Sequence, residues 1–244
     1  MDTQTTQQPL PETKKQGLSL PAAIITGAAI IAVGLVVAFG PKTAPKQDNQ
    51  QGYPPAPEIT KEVLSIRTDD RIRGDISTAQ IAVIEYSDSD CPFCERFHTT
   101  MQQIVTDYNG KVAWVYRHFP LSIHPNATAE AVALECVGSL GGKDAFNAFL
   151  DKIITVTLDP GSASTKALTS YAKAVGVDEK LFASCINGTA ASDRVAADSK
   201  EAQSIGAQGT PFSIIVNLKT GTYDVVAGAY PIADVKAKID ALIK

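Results

Sequence analysis

Residues 81–94 read IAVIEYSDSDCPFC, and the order of residue types in this stretch decides how the rest of the chain is read. Ile81 to Tyr86 is a short apolar run rich in β-branched residues, the composition of a buried strand. Ser87 to Asp90 end it. Cys91-Pro92-Phe93-Cys94 then opens a stretch in which Phe93, Phe97, Met101, Ile104 and Val105 recur at helical spacing, up to about Tyr108. Asn109-Gly110 closes that helix, and Lys111 to His118 (KVAWVYRH) reads as a second strand. Strand, helix, strand is the pattern of a parallel pair joined by a crossover.

Towards the C-terminus the periodicity turns helical. Asn126–Leu140, Lys143–Val156, Thr165–Val175, Asp178–Asn187 and Ala190–Ile205 each carry a helical pattern, punctuated by Gly141-Gly142, Pro160-Gly161, Gly176 and Gly188. Asp178 suits an N-cap. Phe212–Leu218 and Tyr223–Ala227 flank Lys219-Thr220-Gly221 as a hairpin, and Pro231 opens a last helix with Ile232, Val235, Ile239 and Leu242 on one face. The order is β-α-β, a helical block, then β-β-α. A block of that length is too long for a loop. It predicts an inserted helical subdomain at about residues 122–206, with a small core of its own.

Towards the N-terminus the composition changes. Eight of the 14 prolines fall within the first 57 residues, and all four cysteines fall after position 90. Leu20 to Phe39 (LPAAIITGAAIIAVGLVVAF) holds 20 residues without a charge. At about 1.5 Å per residue, such a helix matches the bilayer core. A single N-terminal transmembrane anchor is the favoured reading. A cleaved signal peptide ending near Ala38-Phe39-Gly40 is the alternative. Lysines flank the span on both sides, so charge alone does not orient it. Residues 1–19 form a polar tail, residues 40–57 a linker rich in Pro and Gln, and residues 58–244 the remaining domain.

A formal charge of -4 disfavours a nucleic-acid partner, which calls for a basic face. An even number of cysteines behind an anchor suits an oxidising, extracytoplasmic compartment, and so puts the C-terminal part outside. Cys91-Pro-Phe-Cys94 has several chemical readings. Zinc needs a second paired motif, and Cys136 and Cys185 are isolated. Haem attachment needs a His after the second Cys, where this chain has Glu95. A purely structural bridge across so short a loop removes little chain entropy. A redox centre has a mechanism: Pro92 fits the first helical turn, and Cys91 meets the free N–H groups of a helix N-terminus, which favour a thiolate. Cys94, one turn in, can attack a mixed disulfide at Cys91. Asp88 and Asp90 oppose the thiolate. The three histidines, His98, His118 and His124, have no metal spacing, and His98 reads as a surface residue.

With IAVIEYSDSDCPFC come YRHFPLSIHP at 116–125, the helical block holding Cys136 and Cys185, GTPF at 209–212 and VVAGAYP before the last helix. In that order, over residues 81 to 243, the chain resembles the DsbA-like thiol–disulfide oxidoreductases of the thioredoxin fold. The resemblance implies an α/β thioredoxin fold with a helical insertion, and a cis-proline at Pro211 facing the dithiol. Thr210 is then a substrate contact and a tuner of the redox poise. Pro92 and Phe93, between the cysteines, join Thr210 and Pro211 in meeting the substrate peptide. Glu85 occupies the place of the family's acid beneath the dithiol, where it can exchange a proton with Cys94; a surface acid at the strand end is the alternative. In an oxidising compartment Cys136 and Cys185 are expected to form a structural disulfide, with free thiols or a second redox pair as the rivals.

The expected function is donation of the Cys91–Cys94 disulfide to reduced, folding proteins by a membrane-tethered, extracytoplasmic enzyme. The cofactor is the redox-active disulfide itself, with no metal or organic group. The resemblance implies a quinone-linked membrane thiol oxidase as the partner that restores it. A reductase or isomerase on the same fold, or a peptide-binding chaperone module in which the dithiol is incidental, are the competing readings.

Overall fold

A computed structural model describes residues 59–157 and 161–243. The tail (1–19), the span (20–39) and the linker (40–57) expected from the sequence lie outside the described residues, as does Pro160. Among the described residues no helix is long and apolar enough to cross a membrane.

The chain runs α1 (Lys61–Leu64), β1 (Arg71–Arg73), β2 (Ile81–Ser87), α2 (Pro92–Asp107), β3 (Val112–His118), α3 (Ala127–Val156), α4 (Thr165–Ala174), α5 (Glu179–Ile186), α6 (Ala190–Ser204), β4 (Phe212–Asn217), β5 (Tyr223–Ala227) and α7 (Ile232–Ile243). One five-stranded sheet has the order β1-β3-β2-β4-β5. β2 and β3 are parallel, with Glu85 opposite Tyr116, and every other pair is antiparallel. This is a thioredoxin-like α/β fold with a helical insertion between β3 and β4.

Alternation along the buried strands sends successive side chains to opposite faces. Val83, Trp114, Ile215 and Val226 pack with Phe97 and Met101 of α2 and with Val235 and Ile239 of α7. Ala82, Ile84, Tyr86, Val115 and Ile214 pack on the other face, against Val63 of α1 and Ala202 of α6. The three strands buried on both faces, β2, β3 and β4, thus read as near-continuous apolar runs.

The insertion departs from expectation in one respect. Leu134, Phe146, Phe149 and Phe182 belong to the same apolar cluster as Val83, Phe97 and Trp114, while Ala202 of α6 packs on the opposite face, so the insertion covers both faces of the sheet and has no separate core. α3 is two helical halves meeting at Gly142, whose φ of 76° is open to glycine at no steric cost. Asp178 caps α5, its carboxylate accepting the N–H of Lys180 at 2.9 Å and of Leu181 at 3.0 Å.

Two elements have no counterpart in the sequence reading, the one-turn α1 and the three-residue β1. α1 is held by Val63 in the core and by hydrogen bonds from Arg117 to backbone carbonyls, and β1 by ion pairs, rather than by apolar periodicity. The fully buried guanidinium of Arg117 donates to Asp70 Oδ2 at 3.0 Å, to the carbonyls of Val63 (2.9 Å) and Ser65 (2.8 Å), and to the Tyr86 hydroxyl (3.1 Å). Asp198 of α6 joins from the far side through Arg67 and Arg194. The β1 edge is tied to α3 by Arg71, which donates to Glu135.

Candidate active site

The parallel pair β2–β3 delivers its C-terminal ends to the N-terminus of α2, and the dithiol sits there. Cys91 is the N-cap residue, with extended φ and ψ of -96° and 122°, and Pro92 occupies the first turn, where a missing N–H costs nothing. The Cys91 Sγ lies 3.6 Å from the Thr210 carbonyl, on the segment that leads into β4. The Thr210–Pro211 bond is cis. A groove of about 380 Å³ runs beside it, walled by Gly206, Gln208, Phe212 and Gly228. Ile154 of the insertion forms a small buried cluster with the two cysteines. Phe93 projects into solvent, 57% exposed, with the Arg96 guanidinium 5.0 Å from its ring centre. It is therefore not part of the buried stripe of α2, which runs through Cys94, Phe97, His98, Met101 and Ile104.

The two sulfurs are held in opposite electrostatic states. A hydrogen bond from Cys94 draws the Cys91 thiol down to about 5 against the effect of burial, helped by the Thr210 side chain and by the free backbone N–H groups of Cys94 and Phe93. Burial pushes Cys94 well up, reinforced by its pairing with Cys91 and by Glu85. Glu85, inside the sheet face rather than on the surface, is pushed up to about 7, first by burial. It is thus a carboxyl poised to gain or lose a proton near neutral pH.

The acids flanking Cys91 are engaged elsewhere. Asp88 Oδ1 accepts the Asp90 N–H at 2.9 Å; its Oδ2 accepts the Leu121 N–H at 2.9 Å and lies 2.7 Å from His124 Nδ1. Burial works to lower the His124 pKa, but the Asp88 carboxylate outweighs it and the value rises overall. Asp90 Oδ2 accepts the Asn126 N–H at 2.7 Å.

Three features were not read from the sequence. Thr157 Oγ1 lies 2.8 Å from both Asp90 Oδ1 and Glu130 Oε1. One hydroxyl hydrogen cannot serve two carboxylates, so one of them carries a proton. Burial pushes Glu130 up to about 7, so that it holds its proton through mildly acidic pH. Next, His118 Nε2 lies 2.9 Å from Glu135 Oε1, and burial is outweighed by His118 and Arg71 in holding Glu135 down at about 2. Last, His98 is buried, a correction to its surface reading. Its Nε2 lies 2.7 Å from Asp151 Oδ1 and its ring meets Trp114 edge-on at 5.0 Å. The signal was present in the helical spacing, since position 98 falls between Phe97 and Met101 on the buried stripe.

Away from the dithiol, Cys136 on α3 and Cys185 on α5 form a disulfide that joins two helices of the insertion. Cys91 and Cys94 are unbridged. Among the described residues no group of three or more His, Cys, Asp or Glu side chains is arranged to hold a metal ion.

A family profile described as thioredoxin matches residues 68–239, most of the chain. The chain belongs to the thioredoxin family. Within that family, DsbA2 of Pseudomonas aeruginosa superposes with a TM-score of 0.61 at 25% identity, covering 70% of this chain and 93% of that one. The alpha-DsbA1 of Wolbachia pipientis gives 0.63 at 24% identity, over 75% and 94% of the two chains. By sequence, the Na(+)/H(+) antiporter NhaA 1 of Salinispora arenicola is 28% identical over 160 residues, 65% of this chain but 23% of the antiporter. The chain thus spans less than a quarter of the length of that curated relative. The fold, with a Cys-X-X-Cys pair at the head of α2, is similar to that of these DsbA proteins. Such folds work through a redox-active disulfide.

Proposed function

We propose that this thioredoxin-family protein acts outside the cytoplasm as a thiol oxidase, passing the Cys91–Cys94 disulfide to reduced substrate proteins. The observation that carries this reading is the low Cys91 thiol, held at about 5 beside a Cys94 pushed up. A stabilised thiolate favours the reduced dithiol, and so makes the disulfide a stronger oxidant. A substrate thiolate attacks Cys91 Sγ, Cys94 leaves, and a second substrate thiol attacks the mixed disulfide, so that the substrate departs oxidised and the enzyme reduced. The exposed Phe93 and the groove beside Thr210 and Pro211 suit an extended peptide laid across the dithiol, with Pro92 as part of its floor.

The Cys136–Cys185 bridge supports an oxidising compartment, where such a link persists. In this reading residues 20–39 anchor the chain in the membrane, residues 40–57 tether the domain of residues 58–244, and residues 1–19 stay on the far side. The tether raises the effective concentration of the domain near a quinone-linked membrane oxidase that restores the disulfide. The deciding experiment is the reduction potential of the dithiol against glutathione. A value more oxidising than about -200 mV is expected, and one near about -270 mV assigns a reductase instead. Trapping on a Cys94→Ala variant then names the substrates held at Cys91, and exchange that survives Cys91→Ser means the dithiol is incidental.

A further inference from the structure

Beneath the first turn of α2, one patch of the sheet collects polar side chains that leave atoms unmatched. Glu85 is in register with Tyr116 on β3 and with Ser213 on β4, and Ser87 lies two residues further along the same face. All four are buried. Glu85 Oε2, Ser87 Oγ, Tyr116 Oη and Ser213 Oγ have no hydrogen-bond partner among the described residues, nor does Trp114 Nε1. The patch thus brings a carboxyl and three hydroxyls together on one buried face, within reach of the dithiol. Ser87 is the common neighbour. Its hydroxyl faces the Glu85 carboxyl, the Cys94 thiol and the Tyr116 phenol, and is committed to none of them. Its main chain is fixed, since the Ser87 carbonyl accepts the Phe119 N–H at 2.7 Å, so only the hydroxyl rotates.

We propose that Ser87 is the proton relay between Cys94 and Glu85. A hydroxyl is one donor and two acceptors, and can take a proton on one side while giving its own on the other. When a substrate thiolate opens the Cys91–Cys94 bond, a new S–S bond forms at Cys91 and the electron pair of the broken bond leaves on Cys94 as a thiolate. Ser87 gives its hydrogen to that sulfur and takes the carboxyl proton of Glu85, ending as a hydroxyl beside a carboxylate. In the reverse step Cys94 loses its proton by the same path as it attacks a mixed disulfide. The groups facing this path are Cys91 and Cys94 from α2, Asp88 from the loop between β2 and α2, Tyr116 and His118 from β3 and Ser213 from β4. The unmatched Tyr116 and Ser213 hydroxyls can follow the carboxyl as its charge changes.

The relay rests on Glu85 as the proton partner of Cys94, so the test includes both residues. A mixed disulfide of Cys91 with glutathione is prepared, and its closure by Cys94, with release of glutathione, is followed against pH in wild type, Ser87→Ala, Ser87→Thr, Glu85→Gln and the Ser87→Ala/Glu85→Gln pair. A positioned proton carrier is worth about 100-fold or more. Ser87→Ala is expected to slow closure at neutral pH by about ten-fold or more and to lose the pH step due to Glu85, with Ser87→Thr restoring both. Adding Glu85→Gln to Ser87→Ala should cost little more, because a broken relay fails once. The Cys91 thiolate titration, read by its ultraviolet absorbance, should stay where it is in Ser87→Ala. If Glu85→Gln slows closure and Ser87→Ala does not, the relay is wrong while Glu85 stands. Should neither variant slow it, Glu85 falls as well. Additive losses, or a slow Ser87→Thr, also overturn the relay. The potential that decides the direction of electron flow is a separate measurement.

Discussion

Arg117 and Glu85 sit on adjacent strands of one sheet, face opposite sides of it, and are treated in opposite ways. The Arg117 guanidinium is buried, and all its donors are met by Asp70, Glu201, Tyr86 and the carbonyls of Val63 and Ser65. The Glu85 carboxyl is buried just as deeply, yet one of its oxygens and three neighbouring hydroxyls are unmatched. A satisfied buried charge fixes one arrangement of the chain, since every alternative strands a partner. An unsatisfied one stays ready to change its protonation. One face of the sheet is built to hold still, and the other to move a proton.

The largest effect should come from breaking the satisfied face. Arg117→Met removes the fully buried guanidinium shared by Asp70, the Tyr86 hydroxyl and the Val63 and Ser65 carbonyls, leaving Asp70 only Arg67 and Arg194, and a loss of about 3 kcal/mol in chemical denaturation is expected. The Cys91 thiolate should still titrate near 5 in that variant, because none of the groups that lower it touches Arg117. A shifted titration would mean that the two faces are coupled and the contrast is false.

On the reactive face, stability has to come from elsewhere. The Cys136–Cys185 link, 49 residues apart in sequence, is one source, and Cys136→Ala/Cys185→Ala should cost about 4 kcal/mol by the chain-entropy account. A loss below about 1 kcal/mol would show that packing alone carries this face.

A smaller effect, and a pH-dependent one, belongs to Glu130. Its folded pKa of about 7 lies above the usual carboxylate value of 4.5, so between those limits the folded chain holds a proton that the unfolded chain has lost. The contribution is complete below pH 4.5 and is lost as pH rises to about 7, on the order of 3 kcal/mol in all. Glu130→Gln should remove that fall in denaturation midpoints measured at pH 5 and pH 8, and an unchanged slope would refute the neutral Glu130. Glu85 adds a fall of the same sign. The smallest change is Thr210→Val, which removes one of the groups that lower Cys91. Its midpoint should rise from about 5 in the thiolate absorbance, and a midpoint that stays put would remove Thr210 from the site.

Where side chains repeat, the architecture was legible in the residues. IAVIEY, by its unbroken apolar run, and the stripe of α2 and the apolar face of α7, by their period, each announce a buried element. The dithiol was legible because Cys, Pro and Cys at a strand–helix junction suit little chemistry besides thiol–disulfide exchange. What escaped depends on pairs far apart in the chain. β1 is three residues with Arg at both ends, and reads as loop until Glu135 and Trp114 are placed beside it. Asp70 looks like a surface acid until Arg117 covers it from 47 residues away. Glu130 carries no local sign of neutrality, which arises only when Thr157 presents one hydrogen to two carboxylates. Periodicity reports burial against something; it does not report which charges meet there.

The shared apolar cluster of sheet and insertion has a consequence for how this chain could be taken apart. A unit with its own core can be excised, grafted or exchanged. Leu134, Phe146 and Phe149 of the insertion instead finish the surface begun by Val83, Phe97 and Trp114, and Ile154 forms a buried cluster with Cys91 and Cys94. Cutting at the two loops where the helical block enters and leaves would strip the roof from the chemistry as well as from the sheet. The block is a late arrival by position in the chain, but in space it is part of the wall.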